Sequence, residues 1–160
     1  MPIILRAVNA LETNVLIPVL LDADEDEMRV RAMVADERHT AYVALLDETM
    51  IGAALLRWQE DESEIEYIAV VADLRGHGYG KAIMAALLAE ALRRGVRSLL
   101  VGTDNTAFET IAFYQKCGFR MDHVRRDYFS YIQPPIVHNG IALRDMLVLR
   151  YTFEESKEGS

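Results

Sequence analysis

A glycine-rich turn between a strand-like and a helix-like segment restricts the fold of this chain more than any other feature. The apolar run "YIAV" leads into "DLRGHGYGKAIMAALL", in which three glycines alternate between two cations: Arg75, Gly76, Gly78, Gly80 and Lys81. Glycines let backbone N–H groups approach an anion, and the first turn of a helix adds unpaired donors and the positive end of its dipole. The segment predicts an anion-binding cradle; a purely steric strand-to-helix turn is the alternative.

Two common phosphate-binding motifs do not fit this turn. A dinucleotide-binding turn needs G-x-G-x-x-G at the start of a βαβ unit, whereas this chain has G-x-G-x-G near its middle. A P-loop needs Ser or Thr after its Gly-Lys pair, whereas Lys81 is followed by Ala82. A nucleotide-binding enzyme therefore remains only as a rival interpretation, and the missing hydroxyl counts against it.

Composition favours one globular domain. The chain has 160 residues, 51% of them hydrophobic and 26% charged, so we expect a single domain over 1–153 and a polar tail over 154–160. The 17 basic against 25 acidic residues give a net charge of −8, which argues against nucleic-acid binding. This balance is compatible with a cationic substrate, although acidic proteins are also common for solubility alone.

The distribution of cysteine, histidine and apolar residues excludes further classes. Cys117 is the only cysteine and the four histidines are scattered, so we expect neither a disulfide nor a metal site. The longest apolar runs are too short to cross a bilayer, and the start of the chain lacks a signal-peptide pattern. We expect a cytoplasmic protein.

The order of periodic segments predicts a mixed sheet. We expect a strand at "IILRAV", two helices broken near Pro18 and the acidic run 22–27, a hairpin around "DET", and a strand at "EIEYIAV". A helix from about Gly78 to Arg94, a strand at "RSLLVGT", a helix at "AFETIAFYQKC" and two final strands follow. The early strands are antiparallel, and one crossover helix follows "YIAV".

Two signatures in this order resemble one family. Arg75-x-x-Gly78-x-Gly80 is similar to the pyrophosphate loop of the GNAT-type N-acetyltransferases, and "GTDNTAFETIAFYQKCGFR" resembles their second signature. The resemblance extends from about Leu11 to Tyr151. It implies an α/β (mixed α+β) fold with a largely antiparallel central sheet of six to seven strands and about four flanking helices.

The resemblance also implies acetyl-CoA as cosubstrate, without a metal. The pantetheine arm would pair with the exposed edge of the strand "YIAV" as an additional strand. One N–H group there would face the thioester oxygen, where charge develops. The residues expected to bind the coenzyme are Ile68, Ala69, Val70, Arg75, Gly76, His77, Gly78, Tyr79, Gly80, Lys81 and Asn105.

Three residues carry the expected chemistry. By resemblance Tyr114 protonates the departing thiolate as general acid; its alternative role is core packing beside Ile111 and Cys117. The resemblance also implies a glutamate on this strand that deprotonates the amine, directly or through water. Glu64 and Glu66 are the candidates, because in a regular strand both share a face with Ile68. A bulge near Ile68 would change this facing. Solvated glutamates and an amine that binds already deprotonated remain as alternatives.

We therefore expect an N-acetyltransferase that acts by direct attack in a ternary complex. Its acceptor is a primary amine, either a small molecule or a peptide N-terminus, and its partners include neither nucleic acid nor membrane. The early helices and the loop 128–135 are expected to form the acceptor pocket, and a homodimer is compatible with the sequence. The alternative is an acyl-CoA sensor or degenerate homologue that binds the coenzyme without transfer.

Overall fold

A seven-stranded sheet forms the centre of the structure. The computed structural model describes residues 2–9, 12–24 and 26–153. Within them the strands of this sheet follow the spatial order β1-β2-β3-β4-β5-β9-β6. Their bounds are β1 Ile4–Ala7, β2 His39–Leu46, β3 Thr49–Arg57, β4 Glu62–Val70, β5 Ser98–Asp104, β6 Arg120–Arg125 and β9 Met146–Thr152. A separate two-stranded hairpin joins β7 (Val137–His138) to β8 (Ile141–Ala142).

Two helices cover each face of the sheet. The helices α1 (Thr13–Leu20) and α2 (Glu27–Ala35) pack on one face, and α3 (Tyr79–Arg93) and α4 (Phe108–Lys116) pack on the other. Strand residues alternate between these two cores, because successive side chains of a strand point to opposite faces. In β3, for example, Leu55 belongs to the α1/α2 core and Leu56 to the α3/α4 core. The predicted fold class is confirmed.

The two central strands, β4 and β5, pair over only part of their length. β4 and β5 are joined through α3 and pair in parallel, whereas the other neighbouring strands of this sheet pair antiparallel. The parallel register joins Glu62–Ile65 to Ser98–Val101 and extends no further. Beyond it the two strands diverge, so the last part of β4 has a sheet partner on the β3 side alone.

A β-bulge changes the facing of β4. The β3–β4 register pairs Leu56 with Ile65 and Leu55 with Tyr67, so Glu66 is an extra residue without a partner. The expectation that Glu64, Glu66 and Ile68 share a face therefore fails. Both glutamates lie with Tyr67 on the α1/α2 side, and Ile68 packs against the α3/α4 core.

Element boundaries differ from expectation at three places. The break between α1 and α2 lies in the acidic run, and Pro18 lies inside α1, where the burial of its neighbours Ile17 and Val19 outweighs one lost hydrogen bond. α3 begins at Tyr79 and ends at Arg93, one residue inside the expected bounds at each end. In the part of the chain that the structure describes, no helix has the length and apolar character of a membrane span.

Candidate active site

The glycine turn presents a row of unpaired backbone donors. Gly76 and Gly78 adopt φ values of +82° and +80°, a left-handed conformation that side chains disfavour, and Gly78 caps α3. The first backbone bond of the helix runs from the Ala82 N–H to the Gly78 carbonyl at 3.2 Å. The six N–H groups from Gly76 to Lys81 donate to no described carbonyl or side chain. This turn is therefore suited to bind an anion.

Cationic and aromatic side chains surround this turn. Arg75 is about half exposed and pairs with Asp22 of the α1–α2 segment, with 2.7 Å between Nη2 and Oδ2. Lys81 is exposed on the first turn of α3, and the rings of His77 and Tyr79 lie 6.0 Å apart. Because the Arg75 pair is exposed, it contributes little to stability and leaves the guanidinium free to exchange partners.

The predicted strand edge adjoins this turn. Ile68, Ala69 and Val70 lie beyond the parallel pairing of β4 with β5, so their backbone edge faces the gap between these strands. A Cβ atom at Gly80 would lie 3.7 Å from Val70 Cγ2, so the start of α3 packs directly against the end of β4. A ligand with an anionic group and an amide-bearing arm matches this geometry.

A cavity of about 780 Å³ opens beside the gap. It extends from β4 and β5 to residues between α1 and α2, to α2 and α4, and to the segment 128–138, so the loop expected over the acceptor pocket does line a pocket. Among the described residues six carboxylates line it, against one guanidinium and one imidazole: Asp22, Asp24, Asp26, Glu64, Glu66 and Asp104, with Arg29 and His138. Such a cavity favours a cationic ligand.

The two candidate bases have different partners. Arg125 Nη2 donates to Glu64 Oε1 at 2.7 Å, so Glu64 is tightly paired. Glu66 Oε1 lies 3.7 Å both from Arg57 Nε and from His39 Nε2. Burial and the adjacent Glu64 carboxylate raise the pKa of Glu66 to about 7. Glu66 therefore has the properties of a general base near neutral pH.

Tyr114 is both a core residue and a cavity residue. Its ring packs between Phe113 and Phe119, with centroid distances of 5.6 and 6.0 Å, and its exposed fraction is 6%. The side chain also lines the cavity, and its hydroxyl has no hydrogen bond to any described group. Burial raises its pKa above the ordinary value of 10, so Tyr114 stays protonated and is able to donate.

Asn105 is fully engaged with backbone. Its amide nitrogen donates to the Ala142 carbonyl at 3.0 Å, and its amide oxygen accepts from the N–H groups of Arg144 and Asp145 at 2.9 and 3.0 Å. These bonds fix the segment that enters β9 at the edge of the cavity. The predicted contact of Asn105 with the coenzyme stays a prediction, and the observed bonds indicate a positioning role.

Arg29 connects several elements that line the cavity. Arg29 of α2 lies over the Tyr131 ring, with 4.7 Å between Cζ and the ring centroid, and donates to the Tyr128 hydroxyl at 3.0 Å. Its Nε lies 3.3 Å from Asp24 Oδ2, which also accepts from the Tyr67 hydroxyl at 2.8 Å. These contacts therefore connect α2 and β4 to the loop that contains Tyr128 and Tyr131.

Sequence reasoning missed three residues that lie beside Glu64 and Glu66. His39 starts β2, Arg57 ends β3 and Arg125 ends β6, so they are far apart in the chain and no motif links them. The only sequence signal was a basic residue at one end of each of these strands. Among the described residues no group of three or more His, Cys, Asp or Glu is arranged to hold a metal ion.

Comparisons with known proteins agree with this geometry. The model of the acetyltransferase (GNAT) family matches residues 7–119, more than half of the chain. The uncharacterized N-acetyltransferase YvbK of Bacillus subtilis is 33% identical over 115 residues, which cover 71% of this chain and 74% of that protein.

Two solved structures share the fold over nearly their whole length. A Bacillus subtilis acetyltransferase in complex with CoA superposes with a TM-score of 0.84 and 28% identity, covering 95% of this chain and 99% of that one. A GNAT family acetyltransferase from Elizabethkingia anophelis with acetyl-CoA bound gives a TM-score of 0.83 and 27% identity, covering 94% and 98%.

Proposed function

This chain belongs to the acetyltransferase (GNAT) family and is an acetyl-CoA-dependent acyltransferase, and from that premise we propose that it acetylates a primary amine bound in the acidic cavity. The acceptor is a small molecule or a peptide N-terminus. The single observation that carries the proposal is the continuity of three features: the unpaired donors at the start of α3, the free edge of β4 and the cavity that holds Glu66 and Tyr114. We further propose a cytoplasmic location.

The coenzyme binds along the first two of these features. Its diphosphate accepts hydrogen bonds from the N–H groups of residues 76–81, while Arg75 and Lys81 supply positive charge. Its pantetheine amides pair with the backbone of residues 68–70, which has no strand partner on the β5 side. This placement brings the thioester to the mouth of the cavity, near Tyr114.

Transfer then proceeds by direct attack in a ternary complex. Glu66 removes a proton from the acceptor, and the nitrogen lone pair attacks the thioester carbon. A backbone N–H of residues 68–70 stabilises the developing oxyanion. The attacking nitrogen gives its remaining extra proton to water, the carbon–sulfur bond breaks, and Tyr114 gives its proton to the thiolate and regains one from water. Glu64 stays paired with Arg125, and its negative charge keeps Glu66 basic.

The charge of the cavity supports a cationic acceptor. Carboxylates from α1–α2, β4 and β5 outnumber the basic groups that line it, so an ammonium group gains favourable electrostatic energy on entering. The aromatic rings of Tyr128 and Tyr131 add cation–π surfaces of the type already used by Arg29. These features favour an amine with little negative charge of its own.

A free-thiol assay with acetyl-CoA and a panel of amines tests this function. We expect thiol release that depends on the amine and matches the amount of acetylated product, with cationic amines ahead of anionic ones. Replacing Arg75 by Ala together with Gly78 by Leu should abolish coenzyme binding. Tight CoA binding without amine-dependent thiol release would favour the acyl-CoA sensor. Binding of ATP or NAD in competition with CoA would favour a nucleotide enzyme.

A further inference from the structure

We propose that His39 is the proton-holding partner of Glu66: the proton that Glu66 takes from the acceptor passes on to His39 Nε2. This inference rests on the proposed function, because His39 has this task only if an amine loses its proton at Glu66. His39 acts through Glu66 without touching the acceptor, so it is a positioning residue.

Strand register brings the two residues together. His39 pairs with Arg57 across β2 and β3, and Arg57 pairs with Glu64 across β3 and β4. Cross-strand partners share a face, so these three side chains lie on the α1/α2 side of the sheet. The bulge then inserts Glu66 as an extra residue beside this row. Without the bulge Glu66 would occupy the position opposite Leu55, which Tyr67 holds instead.

Two side-chain nitrogen atoms lie near the same carboxylate oxygen of Glu66. His39 Nε2 and Arg57 Nε each lie 3.7 Å from Oε1, and Arg57 Nε is buried without a hydrogen-bond partner among the described groups. This distance is longer than a hydrogen bond, so the proposed transfer requires the carboxylate to move closer to Nε2. Catalytic hydrogen bonds commonly shorten in this way when a substrate complex forms.

The other ring nitrogen fixes the tautomer of His39. Nδ1 lies 2.7 Å from the backbone carbonyl oxygen of Met33 in α2. A carbonyl oxygen only accepts, so Nδ1 must carry a proton. In neutral His39 the lone pair is therefore on Nε2, the atom that faces Glu66. The side chain is only 4% exposed, and a carboxylate oxygen of Glu66 lies 3.7 Å from this nitrogen.

The proton step balances without any further reactant. The acceptor N–H bond breaks and a Glu66 O–H bond forms; that O–H bond then breaks and an Nε2–H bond forms on His39. Glu66 is again a carboxylate, now beside an imidazolium. After the product leaves, the proton returns through Glu66 to water in the cavity. The charged groups facing this pair are Glu64, Arg57 and Arg125 from the sheet, with Asp36 and Arg38 before β2.

A purely structural His39, which only ties β2 to α2, is the competing explanation. His39→Asn separates the two, because the Asn amide nitrogen replaces Nδ1 as donor to Met33 while the proton acceptor at Nε2 is lost. We expect kcat to fall by about 10- to 100-fold, a part of the ~10²–10⁴-fold that a positioned base contributes. The affinity for CoA should be unchanged.

The pH profile gives a readout that packing alone does not move. A proton shared between two acceptors is released at higher pH than from either one alone. The acidic limb of kcat/KM should therefore move to lower pH in His39→Asn. His123→Asn, the same replacement on the exposed strand β6, should leave both rate and profile unchanged. A lower rate with an unmoved acidic limb would overturn the proposal.

A second measurement needs no turnover and so separates failure of this inference from failure of the proposed function. The His39 ring proton signal is assigned by its absence in His39→Asn, or in His39→Gln if the first variant does not fold. Its shift should change with pH in two steps in the wild type and in one step in Glu66→Gln, since interacting groups titrate together. One step in the wild type overturns the proton-sharing pair, whichever amines the enzyme accepts.

Discussion

The residue that combines packing and chemistry most closely is Tyr114. Its ring is part of the α3/α4 core, its side chain lines the cavity, and its hydroxyl has no described hydrogen-bond partner. The two roles expected from the sequence are therefore compatible with each other. Because the hydroxyl makes no bond that stabilises the fold, its removal separates the proposed chemistry from the packing.

Tyr114→Phe should lower kcat by about 10²-fold, the lower end of the range for general acid catalysis, with little change in CoA affinity. The unfolding free energy should change by less than about 1 kcal/mol, because the ring stays in place. Steady-state kinetics and thermal unfolding measure both. Tyr151→Phe, in the same aromatic cluster but outside the cavity, should change neither. Full activity of Tyr114→Phe at alkaline pH would exclude the acid role.

Glu66 should weaken the fold as pH rises. Its pKa is about 7 in the folded protein against an ordinary value of 4.5, so the folded state favours the protonated carboxyl. Below about pH 4.5 the group is neutral in both states and carries no penalty. The penalty grows as pH rises from 4.5 to 7 and is complete above 7.

Glu66→Gln should therefore be more stable than the wild type above pH 7, by on the order of 1–2 kcal/mol after screening is allowed for, and equally stable near pH 4.5. The same variant should lose most of its activity, an exchange of stability for function that is common at active sites. Thermal unfolding at pH 4.5 and pH 8 tests the first part. An equal gain at both pH values would contradict the raised pKa.

At the scale of elements, helix α3 offers an internal control for the glycine turn. Gly78 before its first residue and Gly95 after its last both adopt positive φ, +80° and +74°, and an added Cβ at either meets nothing within 4 Å. Alanine therefore strains the backbone alike at both positions. The two positions differ in only one respect that concerns function, since Gly78 belongs to the proposed diphosphate cradle.

Gly78→Ala and Gly95→Ala should each lower the unfolding free energy by about 1 kcal/mol. Gly78→Ala should weaken CoA binding several-fold in addition, and Gly95→Ala should leave it unchanged. Isothermal calorimetry with CoA and thermal unfolding of both variants provide the comparison. Equal CoA affinity in the two variants would remove Gly78 from the cradle.

Local patterns were sufficient to predict most elements. The hairpin around "DET" and the glycine turn before α3 each depend on a few neighbouring residues, and the structure has the elements that they delimit. The bulge at Glu66 was not predictable in this way. It depends on how β4 matches β3 in register, a property of two strands together.

The same distinction applies to the candidate site. The glycine turn and Tyr114 could be proposed from the sequence because each lies within one short signature. His39, Arg57 and Arg125 were missed as members of the Glu66 cluster, because only the sheet brings β2, β3 and β6 near β4. Arg29 was missed because its contacts with Tyr128 and Tyr131 span about a hundred residues of chain.

At the scale of the whole molecule, coenzyme binding should change stability. A ligand that binds the folded state alone at 100 times its Kd stabilises by about 2.7 kcal/mol. For a chain of this size that corresponds to a rise in Tm of roughly 5–10 °C. We expect such a rise with CoA, none with ATP or NAD, and a smaller one in Arg75→Ala. A rise with ATP that equals that with CoA would contradict the proposed specificity.

The short parallel pairing at the centre of the sheet has one further consequence. Only four residue pairs join β4 to β5, and α3 is the covalent link between the half formed by β1–β4 and the half formed by β5, β9 and β6. With the pantetheine arm in the gap, as we propose, the cosubstrate completes the hydrogen bonding that the polypeptide leaves open. The polypeptide then supplies one strand fewer than the complete sheet contains. The cosubstrate provides that strand when it binds and removes it when it leaves, once in each catalytic cycle.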